Sequence, residues 1–360
     1  MRSAPLSAIV LAAGDGRRMR STRPKPLHVL CGKTMLHYVL DSLSECKLER
    51  VVVVVGSTGD QVEKKLGDQS SVHYIEYVEQ ARALGTGDAA ATALSAFAGD
   101  DDLDDPDVLV LPGDTPLLQA STVAALAEEH DRLGAAVTIL TARPPQPDGF
   151  ARVRRVKDRV ASLVDHDEAT DDERAITEVS TGVYCFRRSL LAPALRRVGA
   201  RTRSGERYLS DVVAVLAETG HMVATLEADD PTEVMGVNDR VQLAQAESEL
   251  RRRTNLRWLR RGVTMIDPDR TYIDTTVHIG ADVTLFPGTL LQGRTVIGEG
   301  SEIGPDARLV DCVVGRRCRI ENTVGRLAEV GDDAQVGPYA SLAPGAHLIA
   351  GQITGPFYTA

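Results

Sequence analysis

The sequence holds no apolar run long enough to cross a bilayer, which excludes a membrane span. It also lacks a signal peptide: Met1 to Ser7 is short, and the next apolar run reads as a strand, so a cytoplasmic location is expected. Its five cysteines (Cys31, Cys46, Cys185, Cys312 and Cys318) never fall at Cys-x-x-Cys spacing. That excludes a zinc ribbon or a disulfide framework and predicts reduced thiols. Positive charge is outweighed, with 41 Lys and Arg against 51 Asp and Glu and a net charge of −10. A nucleic-acid surface would need a basic face, so nucleic acid is not an expected partner. An anionic small molecule remains open, because local cations decide that. Hydrophobic content of 43% and charged content of 26% are ordinary for a globular chain, and 360 residues predict two domains.

What is present is concentrated near the N-terminus. The apolar run Ala8-Ile-Val-Leu-Ala-Ala13 reads as a buried strand, and Gly14 and Gly16 break it. Leu11, Ala12, Ala13, Gly14 and Gly16 thus form the end of a strand and a glycine turn, where backbone N–H groups can approach an anion unobstructed. Arg18 and Lys25 follow as cations able to hold phosphate oxygens. Met19 stands where a dinucleotide fingerprint needs its third glycine. No Gly-Lys-Ser/Thr follows, so this is not a Walker loop. The pattern predicts a nucleoside triphosphate site of another kind.

Downstream, strands and helices alternate. Val51 to Val55, Val108 to Pro112 and Ala136 to Thr141 read as buried strands, and Thr34 to Ser44 and Ala89 to Ala98 as helices. This rhythm predicts an α/β fold with a doubly wound, mostly parallel sheet carrying ligands at the carboxyl ends of its strands. Asp100 to Asp107, with six aspartates, reads as a solvated loop. Asn238 to Arg261 reads as a connecting helix. After Gly262 the texture changes to hexads: Val277-His-Ile, Val283-Thr-Leu, Thr289-Leu-Leu, Thr295-Val-Ile, Ser301-Glu-Ile and Ala307-Arg-Leu each place an aliphatic residue third. Period six with stacked aliphatics predicts a short parallel β-helix. The register drifts from Val313 to Glu321 and recovers near Ala328. The expected domains are residues 1–237, a connecting helix at 238–262, and the β-helix at 263–360.

Asp114, in Leu111-Pro-Gly-Asp-Thr-Pro116, follows a predicted strand and sits at the expected ligand edge, where it suits Mg²⁺ or a simple Asp turn. Asn238 suits a metal ligand, the N-cap of the long helix, or both. The loop Gln80-Ala-Arg-Ala-Leu-Gly-Thr-Gly87 offers an amide and backbone groups to a base edge, or is a plain helix start.

Taken in order, Leu-Ala-Ala-Gly-x-Gly-x-Arg-Met, Pro-Lys-x-Leu-His, Leu-Gly-Thr-Gly, Gly-Asp-Thr-Pro-Leu-Leu, Asp167-Glu-Ala-Thr170, Thr181-Gly-Val-Tyr and Gly-Val-Asn-Asp-Arg-Val-Gln-Leu resemble the sugar-1-phosphate nucleotidyltransferase superfamily. Within it the chain is most similar to the bifunctional bacterial N-acetylglucosamine-1-phosphate uridylyltransferases, from about Ser7 to about Gly345. The resemblance implies that the β-helix is left-handed. It further implies that Leu11 to Gly14 and Gly16 line the nucleotide, that Arg18 and Lys25 hold its triphosphate, and that Gln80, Gly85 and Thr86 contact the base. Asp114 and Asn238 would hold Mg²⁺. The implied reaction is in-line attack of a sugar 1-phosphate oxygen on the α-phosphorus with loss of pyrophosphate.

The departures from that family fall elsewhere. Ala151 stands where the uridylyltransferases have glycine, Asp165 where they have glutamate, and Ser180 where they have asparagine. Pro112 replaces a tyrosine or serine, Ala83 a glutamine of the base loop, and Arg201 to Tyr208 a sugar-side segment. Sites that hydrogen-bond a ligand discriminate strongly by those bonds. The expected acceptor is therefore a hexose 1-phosphate or a cyclitol (pseudosugar) phosphate, with UTP, GTP or ATP as donor. N-acetylglucosamine 1-phosphate is the alternative. The chain stops at Ala360, before the coils that carry acetyltransferase chemistry in that family, so no acetyl transfer is expected. Self-association is expected by resemblance, as a trimer, with a dimer as the other assembly. A silent regulatory subunit is the competing class, and the joint presence of Arg18, Lys25, Asp114 and Asn238 weighs against it.

Overall fold

The computed structural model describes residues 6–66, 74–97, 106–200 and 205–360. It divides into two compact units, one of Met1–His28 with Thr34–Gln242 and one of Val29–Lys33 with Leu243–Ala360. Among the described residues no helix is long and apolar enough to cross a membrane.

The first unit is built on a nine-stranded sheet. Its main path runs Val223–Glu227, Val137–Ala142, Val179–Arg187, Asp107–Pro112, Leu6–Ala12, Arg50–Val55, Ile75–Glu79. The last four of these strands are parallel to one another, as the apolar runs predict. The valine run explains itself in the packing. Val51, Val53 and Val55 face one core and Val52 and Val54 the other, all nearly inaccessible, so both sides of the strand are covered by other elements. Each buried valine contributes about 2 kcal/mol of transfer free energy.

Two features of this sheet escape a simple parallel reading. Val179–Arg187 lies antiparallel between Asp107–Pro112 and Val137–Ala142. Its N-terminal end therefore reaches the edge where the parallel strands end. The hairpin Ala151–Val156 and Arg159–Val164 then extends that end, with Ala151 opposite Ser180 and Arg152 opposite Val164.

The predicted helices occur at Met35–Asp41, with Thr34 accepting from the His37 amide, and at Thr86–Leu94, followed by a turn of 3-10 helix. The acidic stretch from Asp100 lies outside the described residues up to position 105. Asp107 differs from the expected solvated loop: it opens a strand, is buried, and its carboxylate lies 3.3 Å from His130 Nε2.

The second unit carries most of the helix Arg240–Leu259 and three stacked parallel sheets of five short strands each. The aliphatic third positions of the hexads (Ile279, Leu285, Leu291, Ile297, Ile303 and Leu309) are buried and form the core with Trp258. The drift in register has a geometric cause. His278 pairs Val296, eighteen residues on, whereas Arg308 pairs Val324, only sixteen on, so the middle coils are shorter. In that region Gly325 takes an aliphatic slot. A methyl there would lie 3.1 Å from Leu309 Cδ2 and 3.3 Å from Cys312 Sγ, which already fill the space.

Candidate active site

The carboxyl ends of Leu6–Ala12 and Asp107–Pro112, the antiparallel strand's N-terminus and the hairpin surround a cleft of about 690 Å³ in the first unit. That volume suits a ligand of nucleotide size. Its walls include Leu11, Ala12, Ala13, Gly14, Gly16, Arg18 and Lys25 on one side, Gln80, Gly85 and Thr86 on another, Asp114 and Asn238 at the strand ends, and Ala151, Asp165 and Ser180 beyond. The sheet thus brings every candidate residue from the sequence into one cavity.

The charged centre is tightly connected. Lys25 Nζ donates to the Asp114 carboxylate and, at 3.0 Å, to Asn238 Oδ1, which also accepts from Arg18 Nη2 at 3.0 Å. Asp114 is positioned by the end of its strand, and its backbone oxygen accepts from Val237 N at 2.9 Å, which sets Asn238 beside it. The helix that follows is capped by Asp239, whose Oδ1 accepts from Gln242 N at 2.9 Å. The side chain of Asn238 is thereby released from capping and faces the cleft.

Arg240 closes the arrangement. Its guanidinium donates to the Met19 carbonyl at 3.2 Å and to His28 Nδ1 at 3.3 Å, joining the glycine turn, the Lys25 segment and the Asn238 segment. His28 is buried, and its Nε2 has no hydrogen-bond partner among the described residues. Burial, with Arg240 and Arg23 adding like charge, holds its pKa below the usual value of 6.5. A histidine with a lowered native pKa adds stability that is full above the unfolded value and is lost as pH falls from about 6.5 toward the native pKa. The melting temperature is therefore expected to fall between pH 7 and pH 5.5. That difference should shrink in His28→Asn; an undiminished difference would show that other groups carry it.

Gly16 has φ 61°, and a Cβ there would lie 2.8 Å from Lys25 Cβ, so the turn demands glycine. Gly85 has φ 98° and would strike the Arg207 carbonyl at 2.3 Å. In the loop before the helix Thr86–Leu94, Gln80 Nε2 donates to Asp88 Oδ2 at 2.8 Å and to the Gly85 carbonyl at 3.2 Å, which leaves its amide oxygen for the cleft. Thr86 lines the wall, and its hydroxyl accepts from Leu209 N at 3.0 Å, a bond that shapes the loop.

At the far end, Ala151 and Ser180 are cross-strand partners and Asp165 directly follows the partner of Arg152. Three positions separated in sequence form one contiguous row. Two tyrosines join them: Tyr184, whose hydroxyl lies 3.2 Å from Ser180 Oγ, and Tyr208, which donates to Glu206 Oε2 at 2.6 Å. Burial pushes the Tyr184 phenol up to about 12, so it stays protonated and able to donate. The strand is irregular between Ser180 and Tyr184 of the Thr181-Gly-Val-Tyr184 motif, and the contact of their hydroxyls places both on the cleft side. Of the Arg201 to Tyr208 segment, residues 201–204 lie outside the described residues.

Residues 8–213 match the MobA-like NTP transferase domain family, more than half of the chain. The chain is 43% identical to the bifunctional protein GlmU of Streptomyces avermitilis, over 96% of this chain and 71% of that protein. It belongs to the sugar-1-phosphate nucleotidyltransferase family. Other members at similar distance are the bifunctional protein GlmU of Halalkalibacterium halodurans, 40% identical over 94% of this chain and 72% of that one, and that of Thermobifida fusca, 43% identical over 91% and 68%. The protein is thus a nucleotidyltransferase enzyme, and the regulatory-subunit reading falls away. In this nucleotidyltransferase the matched domain contains the glycine turn, Lys25, Asp114 and the row of Ala151, Asp165 and Ser180.

Proposed function

We propose that this enzyme transfers a nucleotidyl group from a nucleoside triphosphate to the phosphate of a polyhydroxylated ring, a hexose 1-phosphate or a cyclitol phosphate, and releases pyrophosphate. The observation that carries the reading is the convergence of Lys25, Arg18, Asp114 and Asn238 beside an open glycine turn. An acceptor phosphate oxygen, already anionic, forms a bond to the α-phosphorus as the bond to the β-phosphate oxygen breaks. No general base is required, so catalysis rests on alignment and on neutralising charge. Arg18 and Lys25 face the triphosphate in this reading and stabilise the charge that builds on its oxygens.

The oxygens of Asp114 and Asn238 converge on one ammonium, so their spacing already suits a shared cation. One carboxylate and one amide, completed by phosphate and water, are a donor set that fits Mg²⁺, which when bound would neutralise and align the phosphates. The base end favours a ring N–H donor. With the Gln80 amide nitrogen committed to Asp88, its oxygen can accept from the ring N–H of uracil or guanine, whereas adenine has no ring N–H on that edge and offers only its exocyclic amine. At the acceptor end the Ser180 hydroxyl, beside that of Tyr184, stands where the related enzymes carry an amide, which favours a ring hydroxyl over an acetamido group.

Pyrophosphate release across a matrix of UTP, GTP and ATP against hexose, N-acetylhexosamine and cyclitol phosphates tests this reading. Turnover is expected for UTP or GTP with a hydroxyl-bearing acceptor. Fast turnover of UTP with N-acetylglucosamine 1-phosphate would establish the alternative acceptor instead.

Gly14 supplies a cleaner probe of the nucleotide wall. A Cβ at Gly14 meets no atom within 4 Å, so Gly14→Ala is expected to melt like the wild type. The methyl would project into ligand space and raise the KM for the triphosphate at least about tenfold. An unchanged KM would move the triphosphate away from this turn.

A further inference from the structure

Among the described residues Arg152 is the bulkiest side chain to be fully buried, at 1% exposure. It makes no ion pair with any described residue; its partners are three carbonyl oxygens. Nη1 donates to Pro147 O and to Phe150 O, each at 2.6 Å, and Nε donates to Arg174 O at 3.4 Å. An isolated guanidinium in an interior carries a desolvation cost of several kcal/mol, and neutral carbonyls offset it only in part. A group so placed is poor value as a source of stability.

The carbonyls show what it holds. Pro147 to Phe150 is a turn closed by Phe150 N on Pro147 O at 3.3 Å, and Nη1 ties the same two carbonyls from inside. Gly149 sits within the turn at φ 81° with open space where a Cβ would be. Arg174 ends the short helix Asp171–Arg174, whose start is fixed by the Thr170–Glu173 capping box. Gly149, Phe150 and Ala151 line the cleft where the chain enters the hairpin, and Asp165 lines it beside Ala151 where the chain leaves, shortly before that helix, so the two segments form adjacent lips. One planar fork therefore spans both lips of the acceptor end.

We infer that Arg152 is a positioning residue for the acceptor, setting the separation of the Gly149–Ala151 lip from the segment that carries Asp165. This rests on the functional reading above only in assigning that end of the cleft to the acceptor. Lysine keeps the charge but places a single point donor where a fork spans two segments, so it cannot reproduce the grip. In Arg152→Lys the KM for the acceptor phosphate is expected to rise about tenfold while the KM for the triphosphate stays within twofold. Amide hydrogen exchange should quicken at 147–152 and 171–175 and stay unchanged in the central strands. A residue that served stability alone would lower the melting temperature and move both KM values together, and that outcome would overturn the inference. So would an unchanged acceptor KM in a well-folded variant.

The wild-type enzyme supplies a test that needs no variant. Acceptor added with a non-hydrolysable triphosphate analogue is expected to protect 147–152 and 165–175 together; protection of one lip alone would also overturn the inference. If the wild type releases no pyrophosphate with any acceptor, it is the functional reading that fails, and the exchange pattern of Arg152→Lys still reports whether the fork holds both lips.

Discussion

Replacing Asp114 by asparagine is expected to lower turnover by about 100- to 1000-fold, the range found when one group that neutralises transition-state charge is removed. The expectation follows from how little else the side chain does. The backbone oxygen of Asp114, not its carboxylate, holds Val237 N and so places Asn238. The carboxylate itself bonds to Lys25 within the cleft, and asparagine can still accept from that ammonium. The fold should therefore survive, with a melting temperature close to that of the wild type, while the negative charge that, in the proposed reading, gathers cations around the phosphates is lost. Pyrophosphate release and a thermal melt on the same preparation measure both. Turnover within tenfold of the wild type would take Asp114 out of the chemistry and leave it as a turn residue before Pro116.

The parts of the molecule that could be read in advance are those written in local pattern. The valine run at 51–55 admits little besides a strand covered on both faces, and the hexads from Val277 to Cys312 admit little besides stacked coils. The glycine turn with Arg18 and Lys25 is local too, since Gly16 is required by a contact with a residue only nine positions on. Other features depend on register between distant segments. Nothing near Ser180 says that its strand runs against its neighbours, yet that direction alone delivers Ser180 to the ligand edge. The shortened coils around Val313 obscure the period because each is one or two residues short of eighteen, and Gly325 hides in the aliphatic column because Leu309 and Cys312 already fill the space beside it. In Ala151-Arg-Val-Arg-Arg-Val156 strand alternation puts Arg152 and Arg154 on the same face, yet Arg152 is buried and Arg154 exposed, a difference that no local pattern encodes. The helix cap moved by one residue, to Asp239, because the amide of Asn238 is claimed by Lys25 and Arg18.

Register also shapes the second large effect, which concerns the choice of acceptor. Ala151, Asp165 and Ser180 sit on one row across three strands, so their effects on a shared ligand will not add independently. The combined variant Ala151→Gly, Asp165→Glu, Ser180→Asn restores the groups that the uridylyltransferases carry there. Asparagine at 180 supplies an amide near Tyr184, glutamate extends the carboxylate by one methylene, and glycine removes the methyl beside it. A polar site rejects an analogue that leaves its groups unpaired, by as much as about 10⁴-fold, so reinstating those groups is expected to raise kcat/KM for N-acetylglucosamine 1-phosphate relative to the native acceptor by about 100-fold or more. Each single change should give much less than a third of that free energy, because one misplaced group on the row spoils the geometry of the other two. The KM for the triphosphate should stay constant, since none of the three residues belongs to the glycine turn or the base loop. If the ratio of the two acceptors moves less than threefold in the combined variant, this row does not choose the acceptor. Selection would then fall to Glu206 and Tyr208, whose hydrogen-bonded pair is the other polar feature of the same wall.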